Sequence, residues 1–328
     1  MTPCPPAPLP TSVMPDDAES VEGFLIRVAR ANHITVPQLL GRMGISSRRA
    51  LNASDISMVA WMTQVPRSWI EHRVPVVRRN GDGTALLFVG QMWGADSDLR
   101  RHRQQVCPEC IRENGFARLT WEVTRCSACP EHGIVLQDHC PHCGRSIDPH
   151  RPALDVCVCK HVLFGTRLTP QAAELPLLAW CEWVSHSLVP TQPPGSLMPR
   201  EAKRVLEGMS VGGASTLVAA FAGGKRESSF ARFSAVQPWM PTALVAQQTS
   251  LAVHRFLAFA TGRRLESEDQ LAIDDILKLA SHGLTATDRA RAIWLLTTLK
   301  GRRVSYRRIR AATRQPDLFS DLQESEGP

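Results

Sequence analysis

Apolar positions near the start of the chain follow two helical patterns. The first is carried by five residues that come after Glu19: Val21, Phe24, Leu25, Val28 and Ala29. Their spacing of three and four predicts a helix that Glu19 or Ser20 caps and that ends at Asn32. The second pattern predicts a helix with Thr35 as its N-cap and Pro37 in its first turn.

Two more short helices are predicted over residues 54–63 and 66–70, and a strand over residues 84–89 follows a turn at 81–83. The helices within residues 20–44 are compatible with a helix-turn-helix, but a packed helical hairpin has the same sequence signature. Both alternatives are open, and the hairpin is the commoner arrangement.

Helical patterns also dominate the second half of the chain. Residues 170–188 and 200–222 are predicted to be helices, separated by a proline-rich link at 190–195. A further helix is predicted over residues 288–299, with a turn at Gly301.

After that turn, Ser305 is a predicted N-cap for a helix over residues 306–313. Six arginines crowd this segment: Arg302, Arg303, Arg307, Arg308, Arg310 and Arg314. A helix, a glycine turn and an arginine-rich second helix form the layout of a DNA-reading helix-turn-helix, in which arginines contact phosphates and guanine edges. A solvated basic helix that covers the domain is the alternative.

Eight of the ten cysteines lie in four pairs within one stretch of the chain: Cys107/Cys110, Cys126/Cys129, Cys140/Cys143 and Cys157/Cys159. Three pairs have the C-x-x-C spacing, which lets two thiolates in one turn face a tetrahedral ion. Disulfide frameworks belong to small secreted chains, whereas this chain has 328 residues and starts without the basic and apolar regions of a signal peptide. We therefore expect a cytoplasmic protein with structural zinc.

Counting four donors to each ion predicts two sites. One is a Cys₃His set, and its members are Cys107, Cys110, Cys129 and His132. The other is a Cys₄ set, and its members are Cys140, Cys143, Cys157 and Cys159. Cys126 is left over and competes with His132 for the first set, while His142 or His161 is an alternative ligand for the second, whose last pair is an irregular C-x-C. For Cys4 and Cys181 we expect no chemical role.

Length and charge narrow the function only slightly. The chain is long enough for about two or three folding units, and its formal net charge of +7 is compatible with a nucleic-acid partner. No apolar segment is long enough to span a bilayer. Because motifs for phosphate loops, zinc proteases and serine hydrolases are missing from the sequence, we expect no enzymatic activity.

Several motifs in order resemble the TniQ/TnsD family of bacterial transposition proteins. They are the opening segment at 19–32, Cys107-Pro-Glu-Cys110, Trp121, Cys129-Pro-Glu-His132-Gly133, Leu136, Cys140-Pro-His-Cys143-Gly144 and the Cys157/Cys159 pair. The resemblance covers about residues 19–165. It implies target-selection and adaptor proteins of transposons, including CRISPR-associated ones, with the two zinc sets as assigned above and Cys126 outside them.

The resemblance and the residue patterns together predict a mainly α chain with a small zinc-ribbon-like β/loop centre. The expected parts are a flexible lead at 1–18, a helix-turn-helix-like domain at 19–100, a double zinc module at 101–168, a helical domain at 169–316 and an acidic tail at 317–328.

The expected partners are a transposon AAA+ ATPase, DNA bound directly or through an RNA-guided complex, and a second copy of the chain in a homodimer. The alternative function is a zinc-dependent DNA-binding transcription regulator, and a zinc enzyme is a distant third.

Overall fold

Helices are the main regular structure in the computed structural model, which describes residues 6–80, 83–94, 98–101, 103–164, 170–190, 197–222, 239–263 and 271–301. The helices are α1 Val21–Ala31, α2 Val36–Arg42, α3 Ile56–Thr63, α4 Arg67–Arg73, α5 Pro108–Asn114, α6 Leu175–Leu188, α7 Arg200–Leu206, α8 Val211–Ala219, α9 Thr242–Ala260, α10 Ile273–His282 and α11 Ala286–Gly301. The strands are β1 Val76–Asn80, β2 Gly83–Phe88, β3 Gln91–Trp93, β4 Ala128–Cys129 and β5 Ile134–Val135. The chain is mainly α, as its sequence predicts.

The four predicted N-terminal helices are present as α1 to α4. Ser20 caps α1 by accepting a hydrogen bond from the Gly23 amide. Thr35 and Gln38 form a reciprocal capping box at the start of α2, which satisfies amides that the first turn leaves unpaired. Phe24 is fully buried and its ring meets that of Trp69 edge-on, with the centroids 5.2 Å apart. Local capping and buried apolar residues thus explain why α1 to α4 form and pack together. That these helices form a helix-turn-helix stays a prediction.

The lead predicted to be flexible packs against this unit from Pro6 onward. Leu9 is buried, and its amide donates to the Met62 carbonyl at 3.0 Å. Trp61 donates through Nε1 to the Pro6 carbonyl at 2.8 Å. Prolines restrict the unfolded chain and so lower the entropy cost of this docking, while the flexibility of the lead as a whole stays a prediction. Residues 1–5, with Cys4, lie outside the described part.

A three-stranded antiparallel sheet, in the order β1-β2-β3, follows α4. The predicted strand is β2, and residues 81–82 of the predicted turn lie outside the described residues. Val77 of β1 pairs with Leu86, and Leu86 pairs in turn with Trp93 of β3. The sequence did not reveal β1 and β3, because β1 carries two adjacent arginines and β3 has only three residues.

The helices α6 to α11 build a second core around Trp180, Phe221 and Phe256, all of them fully buried. The predicted helix over 200–222 is wrong as a single element. It breaks between α7 and α8 at Gly208, whose φ is +73°, and Ser210 then caps α8 by accepting from the Gly213 amide at 2.9 Å. A left-handed residue followed by an N-cap ends one helix and begins another.

Helix α11 ends at Gly301, after which the chain lies outside the described residues, so the turn predicted there stays a prediction. The last turns of the helix are anchored by buried Leu295, Leu296 and Leu299. The predicted helix over 306–313 lies outside the described residues.

None of the described helices is by itself long and apolar enough to cross a bilayer. Within the described part of the chain, one bent pair of helices, Arg200–Leu206 and Val211–Ala222, passes that test jointly, by length and composition alone.

Candidate metal centre

The structure brings the predicted Cys₃His residues together between α5 and the β4–β5 hairpin. Cys107 is the N-cap residue of α5, and Cys110 lies in its first turn. Cys129 ends β4, and His132 lies in the turn before β5. The four donor atoms all lie within 4.8 Å of one another. The local sequence explains this placement, because a helix start and a tight hairpin each present two donors on one side.

Distances within this set match a tetrahedral ion. The Nδ1 atom of His132 lies 3.5 Å from Cys107 Sγ, 3.3 Å from Cys110 Sγ and 3.4 Å from Cys129 Sγ. Sulfur and nitrogen ligands about 2.3 Å and 2.05 Å from one tetrahedral ion lie roughly 3.6 Å apart. The set therefore has the size that Zn²⁺ requires.

Charged side chains hold the ligands from outside. His132 Nε2 lies 3.1 Å from a carboxylate oxygen of Glu113, which fixes the ring so that Nδ1 faces the thiols. Arg118 donates two hydrogen bonds of 2.5 Å to Glu131, and the Cys110 thiol lies 3.8 Å from the same carboxylate. A carboxylate on the second ring nitrogen is typical of metal-ligating histidines.

Crowding of the thiols shifts their acidity in opposite directions. Hydrogen bonds from Cys107 and Cys110 lower the pKa of Cys129 to about 2. Hydrogen bonds with Cys107 and Cys129, together with burial, raise the pKa of Cys110. One thiolate is thus favoured, and further ionisation is opposed by its negative charge. A divalent cation would supply the charge that lets all three sulfurs ionise.

The Cys₄ residues also form one cluster. Cys140 Sγ lies 3.8 Å from Cys159 Sγ, and Cys143 Sγ lies 3.8 Å from Cys157 Sγ. Four sulfurs held about 2.3 Å from one tetrahedral ion are roughly 3.8 Å apart, so these distances fit a Cys₄ zinc site.

Turn geometry explains how the irregular C-x-C pair joins this cluster. Gly144 has φ +68°, and its amide donates to the Cys140 carbonyl at 2.9 Å, four residues back. Gly133 closes the Cys129 turn in the same way, with φ +66° and a distance of 2.9 Å. After the last pair, Lys160 has φ +69° and donates to the Cys157 carbonyl at 2.8 Å, only three residues back. The shorter turn compensates for the missing residue.

Two of the three cysteines left out of the sets, Cys126 and Cys181, meet each other instead, and the third, Cys4, lies outside the described residues. Cys126 is buried in the apolar core, and its hydrogen bond with Cys181 of α6 raises its pKa. His132 rather than Cys126 therefore joins the three thiols of the first set. No sequence pattern indicates this contact, because the two residues are 55 positions apart and are brought together by the packing of α6 beside β4.

Sequence reasoning missed the polar contacts that join the metal module to the C-terminal helices. Buried Arg100 donates through Nη2 to the Met240 carbonyl at 2.9 Å, and burial lowers its pKa to about 10. Asp138 Oδ2 accepts from the Thr242 amide at 2.8 Å, and the Thr242 hydroxyl donates to Gln105 at 3.1 Å. These contacts span more than a hundred residues of sequence, and no short-range pattern signals them.

The remaining residues predicted to belong to a site fall into two groups. His142 and His161 lie beside Cys159 and offer a third cluster of donors. The six arginines predicted to contact DNA lie outside the described residues.

Comparison with known proteins gives one family. The family model described as TniQ matches residues 10–136. That match begins just after Leu9, includes the N-terminal helices and the whole Cys₃His set, and ends before Cys140. A search of curated proteins found no match.

Proposed function

We propose that this chain, which belongs to the TniQ family through residues 10–136, is an adaptor that links target-site selection to a transposon AAA+ ATPase. The TniQ domain makes it a transposition-associated protein. The observation that supports the adaptor role is that one chain contains both this domain and two clusters of four potential metal ligands. An adaptor needs rigid surfaces for two partners, and such clusters stabilise the region between the two helical units.

The two clusters are proposed to hold structural Zn²⁺. Their ligands are cysteine and histidine, their distances fit tetrahedral coordination, and the first set has a carboxylate on its histidine. Zinc binding contributes directly to folding in small modules of this type. We therefore propose that each ion fixes the segments around it, and that the contacts of Arg100 and Asp138 extend this order to α9.

We propose a non-enzymatic role for both ions. Catalytic Zn²⁺ keeps one coordination position for water or substrate, whereas four protein donors fill the coordination sphere. Each cluster offers four.

Target DNA is proposed to be reached through the basic segment after α11 or through an RNA-guided complex. The net charge of +7 supports a nucleic-acid partner. Homodimerisation, which the family resemblance implies, would present two copies of each surface.

The proposal is tested by mixing the purified chain with a transposon AAA+ ATPase and a transposase. We expect a complex on size-exclusion chromatography in the presence of ATP and DNA. The Cys107→Ser variant should lose zinc and the complex, while Cys126→Ser, which changes a buried cysteine outside both sets, should keep both.

A chain that never associates with an ATPase would contradict the adaptor role. If that chain alone bound one DNA sequence with high specificity, the transcription-regulator alternative would replace it.

A further inference from the structure

Two histidines lie stacked beside the Cys₄ cluster. The rings of His142 and His161 have centroids 3.3 Å apart and planes inclined by 11°. With Cys159 they form a third group whose potential ligand atoms all lie within 4.8 Å of one another. Both histidines are solvent-exposed and Cys159 is half-buried, so burial in a core does not explain the arrangement.

The backbone of each histidine is fixed by the cysteines of the Cys₄ set. His142 lies inside the Cys140–Cys143 turn, which the Gly144 amide closes. His161 accepts a hydrogen bond from the Cys157 amide at 2.9 Å through its carbonyl. An ion held by the four thiolates would therefore pre-organise both histidines, and only their exposed side chains would need to rotate.

The donor chemistry selects a class of ligand. Two imidazoles and a thiolate suit borderline divalent transition metals such as Zn²⁺ and Co²⁺ rather than Mg²⁺ or Ca²⁺, which prefer oxygen. Cys159 is already part of the Cys₄ set, but a thiolate sulfur has further lone pairs and bridges two cations. Three protein donors leave one position for water or for a donor from a partner.

We propose that His142, Cys159 and His161 form an outer, exchangeable site for a divalent transition-metal ion, with the Cys159 thiolate shared with the inner Cys₄ ion. This inference rests on the structural zinc of the proposed function. Exposure and the missing fourth protein ligand make the outer ion the weaker one.

The test is native mass spectrometry of the full chain during titration with Zn²⁺ and then with a chelator. Wild-type protein should retain two ions against the chelator and bind a third that the chelator removes. The His142→Ala/His161→Ala variant should retain the same two and bind the third more than about tenfold more weakly, since outer-sphere partners alone are worth about 10- to 100-fold.

The matched control is His254→Ala/His282→Ala, which removes two exposed histidines of α9 and α10 far along the chain from the cysteines. It should behave as wild type. A parallel titration with Co²⁺ should add thiolate-to-metal absorption at the third equivalent in wild type and in the control, but not in the double variant at His142 and His161.

A third ion that binds equally well without both histidines would be adventitious and would overturn the outer site, as would saturation of wild type at two ions. Fewer than two chelator-resistant ions in every variant would instead contradict the structural zinc of the proposed function, and with it the shared thiolate.

Discussion

Replacing His132 by alanine removes the only nitrogen ligand of the Cys₃His set. Structural zinc sites contribute about 10–16 kcal/mol of apparent binding free energy in small modules, so each of four ligands is worth roughly 3 kcal/mol. That corresponds to a loss of affinity of roughly 100-fold. The Cys126→Ser variant should leave zinc affinity unchanged and lower the free energy of unfolding by about 1–2 kcal/mol, because a hydroxyl replaces a buried thiol.

Glu113→Gln completes the series with an intermediate effect. Its carboxylate lies 3.1 Å from His132 Nε2, but the side chain is 58 % exposed. Solvent therefore replaces part of the interaction, and the loss should be near the lower end of the range of about 10- to 100-fold that outer partners contribute.

Competition with a zinc-responsive chelator dye measures all three affinities under reducing conditions. The expected order of zinc affinity is Cys126→Ser equal to wild type, then Glu113→Gln, then His132→Ala. Loss of zinc from Cys126→Ser together with full retention by His132→Ala would refute the ligand assignment.

Three more outcomes are expected. Burial and the neighbouring Glu22 raise the pKa of Glu122, so the folded chain binds a proton there that the unfolded chain releases. The free energy of unfolding therefore falls as pH rises from about 4.3 toward the raised pKa, by up to about 1.4 kcal/mol per pH unit. Thermal unfolding across that range should show a shallower decline for Glu122→Gln, and an identical decline would contradict the shift. Gly133→Ala should lower the free energy of unfolding by about 1–2 kcal/mol, because the φ of Gly133 is +66°. Gly41→Ala, in an open position of α2, should raise the free energy of unfolding by about 0.5–1 kcal/mol. Chemical denaturation measures both variants, and equal effects would contradict the turn argument. The last variant replaces Arg307, Arg308 and Arg310, in the basic segment beyond the described residues, by alanine. It should reduce the salt slope of DNA binding by roughly one unit for each arginine–phosphate pair that it removes. An unchanged slope in a salt titration would assign the segment to a solvated face.

Local chemistry made the N-terminal helices predictable. Ser20 and Thr35 are polar residues directly before apolar periodic runs, and both cap the helices as expected. The metal clusters were equally accessible from sequence, because four donors in short turns fix their own spacing. The C-x-C pair needed the structure, since only the backbone at Lys160 shows how a shorter turn brings Cys159 to the cluster.

Long-range packing was not predictable from these patterns. The meeting of Cys126 with Cys181 depends on how α6 lies against β4, and the docking of Leu9 on Met62 joins segments more than fifty residues apart. Such contacts are tertiary, and a single sequence does not encode them in local spacing.

The break at Gly208 is different, because the glycine and the N-cap Ser210 are local signals. It was missed because apolar residues continue on both sides of it and favour one long helix.

The most direct test of the two structural zinc sites is the zinc content of reduced protein after treatment with a chelator, measured by elemental analysis against protein concentration. The two four-residue clusters predict about two Zn²⁺ per chain, retained against the chelator. A value near zero in folded protein would contradict the structural role of zinc.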